Sequence, residues 1–184
     1  MTRMPAAFIL LALCTAACAA ESAQPYAGQQ VREIKALSSE QVEGLLAGRG
    51  MSLALSAELN GYPGPKHVQE LAEDLQLTAE QTALTDALFT NMQQQAAALG
   101  AELVEAEREL EHLFASGTVD VQNLQAALER IGRISARLRL THLQAHIEQT
   151  ALLTTDQVAA YNRLRGYAGA SGAGEHHGAH GRHP

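Results

Sequence analysis

The chain is 184 residues long, with 46% hydrophobic residues but only 4% aromatics and no Trp. That length suffices for one domain with a modest core, and an apolar mass made of Leu and Ala suits slender helix packing rather than a sandwich or barrel. Thirteen Lys and Arg against 20 Asp and Glu give a formal net charge of −7, which disfavours general nucleic-acid binding.

At the start, Arg3 precedes an apolar run from Ala6 to Leu13 and the small residues Thr15 to Ala20. This is the order of a bacterial export signal, so residues 1–20 are read as a signal peptide and the mature chain as periplasmic. The run is too short to span a bilayer, and no later segment qualifies, so no transmembrane segment is expected in the mature chain. Both cysteines, Cys14 and Cys18, lie in this leader, which removes thiol chemistry from a mature chain starting beyond them. Thr15-Ala16-Ala17-Cys18 also resembles a lipoprotein box, and lipidation of Cys18 would tether the protein to the membrane without spanning it.

Residues 21–36 are polar without a sustained period and read as a flexible arm. A helical domain over residues 37–167 follows, punctuated by Leu37-Ser38-Ser39-Glu40-Gln41, Leu77-Thr78-Ala79-Glu80-Gln81 and Leu153-Thr154-Thr155-Asp156-Gln157. Each is a helix-start signal. The hydroxyl can accept from the N3 amide, the Gln at N3 can reach back to the cap amide, and the acid at N2 faces the positive end of the helix dipole. Between the first two boxes, Met51, Leu55 and Leu59 suggest a short helix closed by Asn60-Gly61. Pro63-Gly64-Pro65 forces a turn, and Val68, Leu71, Ala72 and Leu75 suggest another short helix.

After the second box, Leu84, Leu88, Met92, Leu99, Leu103, Leu110 and Phe114 form one stripe on a helix from Thr78 to Ala115. Ser116-Gly117-Thr118 breaks it, and Leu124, Leu128, Ile131, Leu138, His142 and Ala145 form a second stripe running toward Leu152. The expected fold class is therefore all-α: a long antiparallel helical hairpin with short flanking helices. A turn centred near Gly117 would pair Glu105 with Arg130 and Glu102 with Arg133. Gly100 and Gly132 mark places where the helices approach closely or bend. Leu140, Leu143 and Ile147 lie off the hairpin seam and would leave an apolar strip exposed, which a homodimer would cover.

The chain has no Gly-rich phosphate loop, no G-x-S-x-G elbow and no H-E-x-x-H helix, so it reads as non-enzymatic, with no catalytic residue and no required cofactor. His142 and His146, four residues apart, share a helix face within reach of one metal ion, with His67, Glu70 and Met92 as further candidate partners. Residues 168–184 form a Gly- and His-rich tail read as disordered, and its His176, His177, His180 and His183 could capture Zn, Ni or Cu. Arg130, Arg133 and Arg137 offer either a solvated, ion-paired face or a basic, partly apolar surface for unfolded exported clients.

An export signal, an all-helical mature chain and two L-T-x-x-Q boxes, Leu77 to Gln81 and Leu153 to Gln157, resemble the Spy/CpxP family of periplasmic chaperones and stress regulators. The family also holds zinc-associated proteins with His-rich tails and periplasmic sensors of nickel and cobalt. The resemblance covers residues 38–166. It implies a curved helical hairpin dimer that binds unfolded or stress-damaged envelope proteins without ATP. The alternative it implies is a heavy-metal sensor signalling to a membrane-bound regulator; His142 and His146 match the sensors' late-helix ligand spacing, while their early His pair has no counterpart, since His67 stands alone.

Overall fold

The computed structural model describes residues 24–167. Residues 1–20, read as a signal peptide with Cys14 and Cys18, and the tail histidines His176, His177, His180 and His183 lie outside the described residues. Residues 24–31 belong to one unit, a turn and a 3-10 helix at Gln29–Val31 in which Gln29 Nε2 donates to the Pro25 carbonyl at 3.2 Å. A second unit begins at Arg32.

The second unit is all helical among its described residues. Its elements are α1 (Ser39–Leu46), α2 (Leu55–Glu58), α3 (Pro65–Glu70), α4 (Ala79–Ala115), α5 (Val121–Leu152) and α6 (Thr155–Leu164). The 37-residue α4 and 32-residue α5 form the long antiparallel hairpin, with α1 packed across the middle of α4 and α2 and α3 nearer the open end. Reciprocal capping boxes start α1 (Ser38 and Gln41), α4 (Thr78 and Gln81) and α6 (Thr154 and Gln157). A fourth, Asp120 with Asn123, starts α5; its Asp and Asn perform the same exchange that the sequence pattern sought only in Ser, Thr and Gln.

The second and third boxes also dock on each other. Gln81 Nε2 donates to Gln157 Oε1 at 2.8 Å and Gln157 Nε2 to Gln81 Oε1 at 3.0 Å. Each amide has a proton left for a carbonyl, Leu152 at 2.9 Å and Leu75 at 3.2 Å respectively. The capping residues of α4 and α6 thus join the two helix starts across 76 residues of sequence.

Two clusters form the core. Ile34, Leu45, Ala96, Leu99, Val104 and Leu138 pack where α1 and the preceding segment cross the hairpin. Val68, Leu75 and Tyr161 pack α3 and its following turn against α6. Ile34 is only 4% exposed, and Lys35 and Glu33 pair with Glu111 and Arg108 of α4. The segment read as a free arm is therefore packed onto the hairpin from its last few residues, because one apolar side chain finds the groove that α1 leaves open.

The hairpin seam departs from the Leu stripe. Buried on α4 are Thr85, Ala96, Leu99, Gly100, Val104 and Ala106, whereas Leu84 and Phe114 are exposed. Small residues replace bulky ones where α1 presses on α4: a Cβ on Gly100 would collide with the Leu45 carbonyl oxygen. Around Gly132 there is open space instead, so only the first of the two interior glycines marks a close approach. Near the open end, buried Gln149 Nε2 donates to buried Thr85 Oγ1 at 3.0 Å, a polar bridge at a level where the stripe placed Leu84.

The ion pairs correct the expected register. Arg130 pairs with Glu109, Arg137 with Glu102 at 3.6 Å, and Arg133 with Glu129 of its own helix at 3.7 Å. Neither Glu105–Arg130 nor Glu102–Arg133 is the pairing formed. The Asp120 cap starts α5 only at Val121, so the connection extends beyond Gly117 and each cross-helix partner moves four residues along.

Candidate functional site

The residues read as metal ligands separate into two environments. His142 sits on the buried face of α5, 3% exposed, with Nε2 enclosed and without a hydrogen-bond partner. Its pKa is lowered, first by burial and then by the charge of His146, so it is held neutral. His146, one turn on, places Nδ1 2.8 Å from the Tyr62 carbonyl, which requires the proton on Nδ1. Met92 is half-buried on α4, and exposed Glu70 lies 3.9 Å from Lys66. Among the described residues no group of three His, Cys, Asp or Glu side chains is gathered as a metal ion would need.

His67 and His146 instead flank a carboxylate that the sequence pattern did not single out. Glu58, at the end of α2, is 5% exposed. Its Oε1 accepts from Tyr161 at 2.6 Å and Tyr167 at 3.1 Å, with Arg165 Nε and His67 Nδ1 each 3.3 Å away. Oε2 is buried with no hydrogen-bond partner, 3.8 Å from His146 Nδ1. Arg165 Nη2 lies 3.5 Å from His67 Nε2 and 3.2 Å from the Tyr167 hydroxyl, and its guanidinium stands over the Tyr167 ring. Burial, then the Tyr161 hydrogen bond to Glu58, pushes the Tyr161 hydroxyl strongly upward, so it stays a donor.

The cluster joins α2, α3, α5, α6 and the turn after α6 through one charge. The signal for it was faint: Glu58 is an acid inside the apolar run from Leu53 to Leu59, and Tyr161 is the aromatic residue at the middle of α6. Neither carries a motif, and their meeting is long-range.

The other candidate surface is the outer half of the hairpin, toward the α4–α5 turn. Glu107 to Arg133 contains no fully buried residue, and Phe114, Val121 and Leu128 are 57%, 82% and 50% exposed. A groove of about 640 Å³ runs between the helices over Leu113, Ala126 and Ala127, with Arg108, Glu109 and Arg130 along its edges. A second depression, about 420 Å³, follows α5 past Val121, Leu124 and Leu128. Arg130, Arg133 and Arg137 are all exposed or nearly so and all engaged with carboxylates, so apolar floor and charges of both signs alternate on this surface. Leu140 and Ile147 are exposed and Leu143 is half-buried, leaving the strip read from the sequence only partly covered.

No helix among the described residues is long and apolar enough to cross a membrane. Comparison of the chain with protein-family models, curated proteins and solved structures finds no match.

Proposed function

We propose that the chain is an exported, ATP-independent holdase or envelope-stress adaptor of the Spy/CpxP type, which binds unfolded periplasmic proteins on the outer half of its hairpin and works as a homodimer. The observation that carries this reading is the exposure of Phe114, Val121 and Leu128 on the outer hairpin, together with a depression lined by Val121 and Leu128 and a groove edged by Arg130 and Glu109. Exposed apolar side chains among charges of both signs suit a non-specific protein-binding surface, since apolar contact supplies affinity and mixed charges keep the free face solvated. Two L-T-x-x-Q boxes, an export signal and a His-rich tail support the same assignment. In this reading the tail supplies any response to Zn, Ni or Cu, and Cys18 any membrane tether.

The test is suppression of aggregation of a reduced, unfolding client by the purified mature protein without nucleotide. Stoichiometric protection is expected. An absence of protection at several-fold excess sinks the reading.

A further inference from the structure

Beyond the client surface, the Glu58 cluster holds a device that none of the capping or client-binding roles uses. Arginine can only donate, so the hydrogen bond from Arg165 Nη2 fixes His67 Nε2 as the lone-pair nitrogen and Nδ1 as the protonated one. His67 Nδ1–H then donates to the Tyr161 oxygen, 3.3 Å away, while Tyr161 donates its own proton to Glu58, whose Oε1 lies 3.3 Å from Nδ1, within ion-pair reach. In this state Arg165 is the counter-ion of the buried carboxylate, and His67 is a neutral spacer between the two.

We propose that His67 is a proton-operated counter-ion switch: a proton taken from solvent at Nε2 makes His67 the partner of Glu58 and expels Arg165, releasing the C-terminal end of α6. A proton on Nε2 turns the accepted hydrogen bond into two opposed N–H groups and sets two cations against each other at 3.5 Å. The imidazolium keeps Nδ1 facing Glu58, so the carboxylate does not lose its neutralising charge when Arg165 leaves. His67 and Arg165 side chains are 33% and 31% exposed, which gives the proton a way in and the guanidinium a way out, whereas Glu58 at 7% cannot follow. Imidazole is the side chain whose charge ordinarily changes between about pH 5 and 8.

The groups around His67 agree on the direction. From α2 comes Glu58; from α6 and the turn beyond it come Tyr161, Arg165 and Tyr167. From α5, His146 stands beside the other carboxylate oxygen, its Nδ1 3.8 Å from Glu58 Oε2. From α4, Asp86 approaches α3 but accepts from Gln69 at 2.7 Å, and on α3 itself Lys66 is paired with Glu70. The Gln81–Gln157 pair at the start of α6 contains no titrating group and holds when Arg165 leaves, so release is confined to the far end of the helix.

The experiment uses the full mature chain. Histidine ring nitrogen spectra at neutral pH are expected to show Nε2 of His67 unprotonated; a proton on Nε2 there overturns the proposal without any substitution. Amide exchange is then compared at about pH 7.5 and 5.5, corrected for intrinsic rates. Residues 161–167 are expected to lose protection by about tenfold in acid beyond any loss in α4 and α5, the mark of a local opening. His67→Gln should abolish that acid response, and Arg165→Gln should show the loosened end already at neutral pH. Retention of the wild-type response in His67→Gln, or a loss shared equally by α4 and α5, contradicts the switch.

Discussion

Gln81 and Gln157 exchange two amide hydrogen bonds while each closes the capping box of its own helix. The Leu-Thr-x-x-Gln pentapeptide is thus a cap and a docking element at once: the Oε1 that accepts from its own cap amide also accepts from the partner Gln. This joint ties α6 to the start of the hairpin. Gln157→Ala removes the cap contact and leaves the Gln81 amide without its partner, and the expected loss is about 2 kcal/mol. In a double-mutant cycle with Gln81→Ala, the two losses should fall short of additivity by about 1 kcal/mol; additive losses in urea unfolding would show the pair to be uncoupled.

Gly100 and Gly132 look alike in sequence and should respond oppositely to the same change. At Gly100 a methyl group meets the Leu45 backbone, so Gly100→Ala must push α1 off α4 and is expected to cost about 1 to 3 kcal/mol. Gly132 sits in the interior of α5 with open space around it, so Gly132→Ala is expected to stabilise by about 1 kcal/mol. Thermal melting of the two variants checks both signs.

His142 gives the fold an acid sensitivity of defined sign. Burial, with the neighbouring charge of His146, lowers its pKa in the folded state, so the unfolded chain binds the proton more readily. Stability contributed by this residue is complete well above the unfolded value of about 6.5 and falls as pH drops below it toward the folded value. His142→Leu removes both the titration and the unpartnered Nε2. Urea unfolding of the variant should lose part of the stability difference between about pH 7 and pH 5; an unchanged difference would mean that other groups carry it.

Much of the hairpin was legible because its signals are local. The breaks at Leu77-Thr78 and Ser116-Gly117, the two long apolar stripes and the three Ser/Thr boxes set α4, the starts of α1 and α6 and the end of α5 to within a residue or two, but not the start of α5. The seam itself was less legible, since burial went to Thr85, Ala96 and Gly100, which have little apolar mass, while Leu84 and Phe114 were left outside. Ala96 and Gly100 are buried because α1 and the Ile34 segment cross α4, and Thr85 is buried in its bond to Gln149 of α5, contacts that helical periodicity does not encode. The register of Arg130 and Arg137 moved for a similarly local reason, the Asp120–Asn123 cap. At the candidate site the histidines were visible, but not their relation. Which of His67, His142 and His146 meet depends on Glu58, a carboxylate brought in from α2 by the turn at Pro63 and Gly64.

The arginine surface separates register from binding. Arg130 and Arg137 reach across to Glu109 and Glu102 with exposed side chains, so their pairs orient the helices more than they hold them together. Arg130→Ala/Arg137→Ala is expected to leave the melting temperature nearly unchanged while weakening capture of acidic clients more than neutral ones. Equal loss for both client types would assign these residues to the fold instead.

The central claim is that the outer hairpin is the client surface, and charges placed at its exposed apolar side chains test it most directly. Phe114→Glu/Leu128→Glu changes two exposed side chains, so the variant should fold and melt close to the parent. The measurement is the ratio of protein to client that halves aggregation of a reduced, unfolding client, taken for parent and variant side by side. The account predicts that a folded variant needs a several-fold higher ratio. A folded variant that protects as well as the parent would place client binding elsewhere and contradict it.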